Sequence, residues 1–223
     1  PRGHGHLKNF KRQNFSISYA WKVVSMALQG IDISNWQKGI NLDALAIDFA
    51  ICKATQGASY VSPDCGRQMQ QAMKRGLLVG VYHYVNGAGV DAEAQHFANS
   101  IKGYLGKALI VLDWEQGDNA AWGNTGYLDS LVAKVKALTG VTPLIYASQS
   151  VFPWDIAKKH GCGTWVAQYA NNNTTGLQSN PWNEGAYSCD IRQYSSCGRL
   201  DGWGGNLDLN KAYMDAAKWQ QFA

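Results

Sequence analysis

The sequence predicts an α/β fold: an irregular TIM-like barrel of eight strands with about five flanking helices. Three observations carry that expectation. Short apolar, β-branched runs recur after residue 27 without strict alternation, which is how strands covered on both faces read. Amphipathic segments closed by glycine separate the earlier runs, the signature of right-handed parallel crossovers. The rival, an open doubly wound sheet, usually carries a GxGxxG or P-loop after its first strand, and none is present.

In chain order, LQGIDIS (28–34) reads as a buried strand ending in polar residues, and FAICKAT (49–55) repeats the plan. A helix follows over 62–76, opened by Ser62-Pro63 and closed by Gly76, with Met69, Ala72 and Met73 on one face. LLVGVYHY (77–84) is the third strand, and a helix over 90–106 leads to ALIVLDWE (108–115). A helix over 126–140 leads to TPLIYAS (142–148). The rhythm then weakens. WVAQYA (165–170), CDIRQYSS (189–196) and NLDLN (206–210) read as strands joined by loops, and KAYMDAAKWQQF (211–222) reads as a short closing helix.

Composition narrows the function. Hydrophobic residues make up 46% and charged residues 16%, enough for a large core under a lightly charged surface. Nine Trp and eleven Tyr exceed what a core needs and suit surfaces that stack on sugar rings. The formal charge of +4 comes from Arg2, Lys8, Lys11, Arg12 and Lys22, which have no acid beside them; the remainder carries −1. Nucleic acid is therefore not an expected partner. No apolar run reaches the length of a membrane span, so no stable membrane insertion is expected.

Residues 1–26 read as a separate basic extension. ISYAWKVVSMAL behind KNFKR has the outline of a secretory signal, but Lys22 interrupts it and no clean cleavage site follows; Met26 is positioned as a natural start. Residues 27–223 are expected to form one catalytic barrel, without room for a separate wall-binding module. Of five cysteines, Cys189 and Cys197 are close enough in sequence to bridge, although free thiols are the simpler expectation.

The chemistry is expected at the strand ends. Asp113 and Glu115 are two apart, so they share a face where the fourth run gives way to loop. In barrels the C-terminal ends of the strands carry the active site. Asp32 ends the first run and Asp208 the last, and closure brings first and last strands together. Four acids are thus expected at one mouth, where mutual repulsion and burial keep at least one protonated. A held proton beside ionised acids is what acid-assisted glycosidic cleavage requires. Tyr82, His83, Tyr84, Tyr146, Gln168, Tyr169 and Gln193 add rings for stacking and polar groups for sugar hydroxyls. Two other readings use the same residues. His83 beside Asp32, Asp113 or Asp208 could hold a divalent ion, although HExxH and paired-His spacings are missing. A non-catalytic carbohydrate-binding barrel would keep the aromatics, with no use for the four acids.

GIDISNWQ (30–37), FAICKATQG (49–57), GVYHY (80–84), IVLDWE (110–115), PLIYAS (143–148) and DIRQYSSCGRLDGWGGNLDLN (190–210) together resemble the family 25 glycoside hydrolases, the Chalaropsis-type lysozymes of bacteria, fungi and phages. The likeness runs from residue 28 to about 214, and its specificity lies in the number and order of the pieces. It implies an eight-stranded irregular barrel and an N-acetylmuramidase that cuts the β-1,4 bond between N-acetylmuramic acid and N-acetylglucosamine in peptidoglycan. It implies Glu115 as general acid, Asp113 as its partner carboxylate, and Asp32 and Asp208 as the opening and closing acids. Tyr82 and Tyr146 match aromatic positions near the cleft. No cofactor and no metal are implied, and a monomer is expected, secreted or released when a host cell lyses. Two departures stand out: Gln56 where the family often has glutamate, and Trp114 between Asp113 and Glu115, where a small or branched residue is usual. Trp114 is expected to pack behind the strand.

Overall fold

The structure is a computed structural model and describes residues 27–223; the basic extension expected over 1–26 lies outside the described residues. Nine strands form one sheet: β1 (Leu28–Ile33), β2 (Phe49–Gln56), β3 (Tyr60–Val61), β4 (Leu78–Tyr84), β5 (Ala108–Asp113), β6 (Leu144–Ser148), β7 (Gly163–Ala167), β8 (Ile191–Gly198) and β9 (Leu207–Ala212). The order β1-β9-β8-β7-β6-β5-β4-β2 closes on itself through β1–β2, giving the predicted eight-stranded barrel. The ninth strand, β3, is a two-residue arm folded back antiparallel on β2 at the mouth. It is too short to leave a pattern in the sequence.

Five helices accompany the barrel: α1 (Cys65–Arg75), α2 (Val90–Ser100), α3 (Thr125–Thr139), α4 (Trp154–His160) and α5 (Ala216–Gln220). Gly76 and Gly140 close α1 and α3 in the left-handed conformation that favours glycine. The expected helix over 90–106 stops at Ser100. Helix α4 falls where the sequence rhythm weakens; its seven residues are too few for a helical period to show. The expected helix over 211–222 is a correction. Strand β9 runs through Ala212, which pairs with Leu28 and Ile191, and α5 starts only after Asp215, whose side chain caps Lys218 N at 2.8 Å.

Barrel neighbours run parallel, except that β9 is antiparallel to both β1 and β8. Two apolar layers result. Outward residues such as Ile31, Ile33, Val81, Ile110 and Leu112 pack under the helices. Inward residues Phe49, Ile51, Leu109, Val111, Leu144 and Trp165 fill the barrel. Gly30 faces inward by the strand's alternation and leaves no room for a side chain: a Cβ there would lie 2.5 Å from the Phe49 ring and carbonyl. Helix α5 plugs the bottom: Trp219 sits 5.1 Å from Phe49, ring to ring, and donates its indole N–H to Val79 O at 2.9 Å. With that end sealed by apolar side chains, the opposite end is left open to water.

Candidate active site

Asp32 at the end of β1 stands directly opposite Asp208 on β9. Asp208 reaches this end from the start of its strand, not from the end as the sequence pattern suggested, because β9 is antiparallel. Asp113 ends β5, level with Tyr84 on β4 and Tyr146 on β6. Glu115 follows two residues on, while Trp114 turns outward into the helix-facing layer and packs on Trp122 at 5.5 Å, as expected. The four acids and Tyr82, Tyr146, Trp165, Tyr169 and Gln193 line one cavity of about 210 Å³. A wider pocket of about 400 Å³ continues from it past Glu115, Tyr146 and Tyr169 to Ser148, Gln149, Ser150 and Gln168. Glu115 thus sits where the acid cavity opens into a groove.

A hydrogen-bond frame fixes the cavity wall. Gln193 and Asn210 each donate to Asp32 Oδ2 at 2.7 Å. Gln193 Oε1 accepts from Tyr146 at 2.7 Å and from Tyr169. Trp165 donates to Asn210 Oδ1 at 2.8 Å. These bonds determine which way both amides point. Asp113 Oδ1, by contrast, is buried and has no partner among the described residues. An unmatched buried carboxylate oxygen is costly and is a group held ready for a ligand or a proton.

Burial raises the proton affinity of all four acids, and the charge of neighbouring carboxylates raises Asp32, Asp113 and Asp208 further. Asp32 is pushed well above the usual carboxylate range by burial and by Asp208, against the pull of its two amide donors. Asp113 is pushed well up by burial and the charge of Glu115, against Lys53. Glu115 is raised by burial, while the Tyr146 hydroxyl and Lys53 draw it down. Asp208 is raised to about 7 by burial and Glu115. The cluster therefore retains protons near neutral pH, as carboxylates that share one site must.

Three expected site residues are placed differently from the rest. His83 is not at the mouth. It points outward from β4, fully buried, with Nδ1 2.8 Å from Thr55 Oγ1 and Nε2 2.8 Å from Glu93 Oε2. The reason is the strand's two-residue period: Tyr82 and Tyr84 face in, so the residue between them faces out. It consequently shares no site with Asp32, Asp113 or Asp208. Among the described residues, no three His, Cys, Asp or Glu side chains converge as metal ligands. Tyr84 lies beside the acid cavity, its hydroxyl accepting from Asp118 N at 3.2 Å. Gln168 lines the groove, but its Oε1 is occupied by Asn183 and Arg192. Cys189 and Cys197 are both free.

Sequence reasoning passed over Lys53 and Asn210. Lys53 faces inward from β2, two residues after Ile51, and its charge reaches Asp113 and Glu115. It donates to Gln56 Oε1 at 2.7 Å and lies 4.7 Å above the Tyr84 ring. A lysine inside the apolar run FAICKAT was the available signal. For Asn210 the signal was its position two residues after Asp208, hence on the same face.

The sequence profile described as "Glycosyl hydrolases family 25" matches residues 31–203. The chain belongs to glycosyl hydrolase family 25. It is 28% identical over 210 residues to Lysozyme M1 of Streptomyces globisporus, covering 86% of this chain and 69% of that protein. It is 28% identical over 174 residues to the N,O-diacetylmuramidase of Chalaropsis sp, covering 69% and 75%. The crystal structure of a bacterial lysozyme from Streptomyces coelicolor superimposes with a TM-score of 0.71 at 26% identity, over 89% of this chain and 98% of the other. This family 25 chain is thus a glycoside hydrolase of the lysozyme type, and the acid-lined mouth is its candidate active site.

Proposed function

We propose that this family 25 hydrolase is an endo-acting N-acetylmuramidase. It cuts the β-1,4 bond between N-acetylmuramic acid and N-acetylglucosamine in bacterial peptidoglycan. The observation that carries the reading is the convergence of four proton-retaining acids in one cavity, with Glu115 at the junction with an open groove of about 400 Å³. The printed names of the lysozyme and muramidase relatives point to the same substrate.

In this reading a glycan strand lies across the mouth. Glu115, its proton affinity raised by burial, protonates the bridging oxygen. The sugar gains oxocarbenium character, which the neighbouring carboxylates stabilise. Asp113 Oδ1, free of protein partners, takes the N–H of the substrate's 2-acetamido group and orients its carbonyl oxygen toward the reacting carbon. Asp32 is held rigidly by Gln193 and Asn210 and shapes the cavity floor with Asp208. No step calls for a cofactor. No described helix is long and apolar enough to cross a membrane. The enzyme acts as a monomer on walls it reaches by secretion or by release on host lysis.

Mass analysis of digested peptidoglycan tests the bond: new reducing-end muramic acid is expected, and reducing-end glucosamine or freed peptides would refute it. Glu115→Gln should lower wall clearing by about 10²–10⁴-fold without unfolding the chain. Equal clearing by both proteins would remove Glu115 from its role.

A further inference from the structure

A second lined pocket lies at the mouth, apart from the acid cavity. It measures about 290 Å³ and is bounded by Ser34, Asn35, Trp36, Lys53, Gln56 and Tyr60. In the closed ring, β1 and β2 stand across the barrel from β6 and β7. The Ser148–Gln168 groove and the Trp36 pocket therefore lie on opposite sides of the acids.

The two aromatic walls of this pocket are exposed, and the backbone that carries each is held by hydrogen bonds. Trp36 is 91% exposed, the most exposed large apolar side chain among the described residues, and Tyr60 is 41% exposed. Trp36 sits in a 3-10 turn, Asn35–Gln37, locked by a capping box: Ser34 Oγ accepts from Trp36 N at 3.2 Å, and Gln37 Oε1 accepts from Ser34 N at 3.0 Å. Tyr60 is held by pairing with Gln56 and by its carbonyl, 2.9 Å from His96 Nε2. An indole kept in water on a rigid turn loses a large apolar contribution to folding, and that loss is recovered when a flat apolar face covers it.

The polar residues between the walls join this pocket to the reaction centre. Lys53 donates to Gln56 Oε1, and Gln56 Nε2 donates to Asp118 Oδ2 at 3.1 Å, on the loop that follows Glu115. Lys53 lies 5.7 Å from the Tyr60 ring and 4.7 Å from the Tyr84 ring. Pyranose rings present one apolar C–H face and a rim of hydroxyl and amide groups. Two exposed aromatic faces above an amide and an ammonium group match that chemistry.

We propose that Trp36 and Tyr60 form a sugar-stacking subsite that binds a further N-acetylhexosamine ring of the glycan, across the acids from the Ser148–Gln168 groove. This rests on the muramidase reading and extends it: the enzyme grips a strand at both sides of the cleavage point, so long strands bind better than short ones.

The test uses the full chain carrying Glu115→Gln, so that substrate survives. Calorimetry measures its affinity for stem-free β-1,4 oligomers of alternating N-acetylglucosamine and N-acetylmuramic acid, disaccharide against octasaccharide. Adding Trp36→Ala should weaken octasaccharide binding about tenfold, the loss of one aromatic face, and leave disaccharide binding unchanged. Trp36→Tyr should recover most of the loss. Equal octasaccharide affinity with and without the indole overturns the subsite. So does an equal loss for both lengths, which would mean damage to the acid cavity. A loss seen only with strands that carry peptide stems would assign the surface to peptide and overturn the sugar assignment. The parent reading fails separately, if the chain with Glu115 intact releases no reducing-end muramic acid.

Discussion

Asp32 and Asp208 face each other across two antiparallel strands, a pairing that costs stability unless a proton is shared. Asp208 is held at about 7 by burial and by the charge of Glu115, so its ionised form is unfavourable in the fold. Asp208→Asn should therefore raise stability above neutral pH by about 1–2 kcal/mol, a Tm increase of about 2–8 °C, while hydrolysis falls. A calorimetric scan at about pH 8 checks it, and an unchanged or lowered Tm would show that Asp208 is not under repulsion. The same scale explains which residues could be read from sequence. Asp113 and Glu115 declare a shared face by their two-residue spacing, whatever the fold does elsewhere. In Tyr82-His83-Tyr84 the spacing gives two faces without saying which is inside, so His83 was expected among the ligands of the mouth and lies behind it. Gln193, expected to meet sugar hydroxyls, uses its amide to join Asp32 to Tyr146 and Tyr169; such bonds require two other strands and the loop after β7, and leave no local pattern.

Helix α2 carries the least obvious functional element. Glu93 is fully buried and accepts from Tyr127 OH at 2.7 Å, Ala88 N at 2.6 Å and Asn86 N at 3.2 Å, with His83 Nε2 at 2.8 Å. These partners hold its proton affinity below the usual value despite burial, so it is ionised. Asn86 in turn accepts from Ala120 N at 2.8 Å, and Asn119 donates to Glu115 O at 3.0 Å. A continuous set of bonds thus runs from a buried carboxylate behind the barrel to the backbone of the proposed acid. Glu93→Ala strands several buried donors and should cost about 3–5 kcal/mol. Glu93→Gln keeps the shape, and at temperatures where it stays folded it should lower kcat more than it raises KM, because Glu115 is misplaced rather than substrate lost. Unaltered kcat in the folded Gln variant would make Glu93 a stabilising residue only. The eight barrel strands were visible in the sequence because each is a buried run that needs no partner to be recognised. Helix α4, the arm β3 and the reach of β9 to Ala212 were not, because each is short or is fixed by a neighbouring strand.

The barrel as a whole is sealed at one end and charged at the other, and the two ends respond to different perturbations. At the sealed end, Trp219→Ala opens a cavity against Phe49 and should cost about 3–5 kcal/mol while leaving the geometry of the mouth intact. The charged end makes stability depend on pH with a definite sign. Asp32, Asp113, Glu115 and Asp208 all bind their protons more tightly folded than unfolded. Between the unfolded carboxylate range near about 4 and the folded value of about 7 for Asp208, the native state holds the extra protons, so stability falls as pH rises through that window. Glu93 and Asp64 are lowered in the fold and act oppositely, since their stabilisation is lost as pH drops below the ordinary carboxylate range. His83, lowered by burial, also costs stability as pH falls below its ordinary value, but it is one group against four. The chain should therefore be most stable in mild acid, with a Tm at about pH 5 several degrees above that at about pH 8. Hydrolysis should also decline as pH rises, because Glu115, whose proton affinity is raised by burial, then loses the proton that the glycosidic oxygen needs. An Asp32→Asn, Asp208→Asn double variant should lose most of this slope in Tm; a slope that persists in it would place the titrating groups outside the mouth.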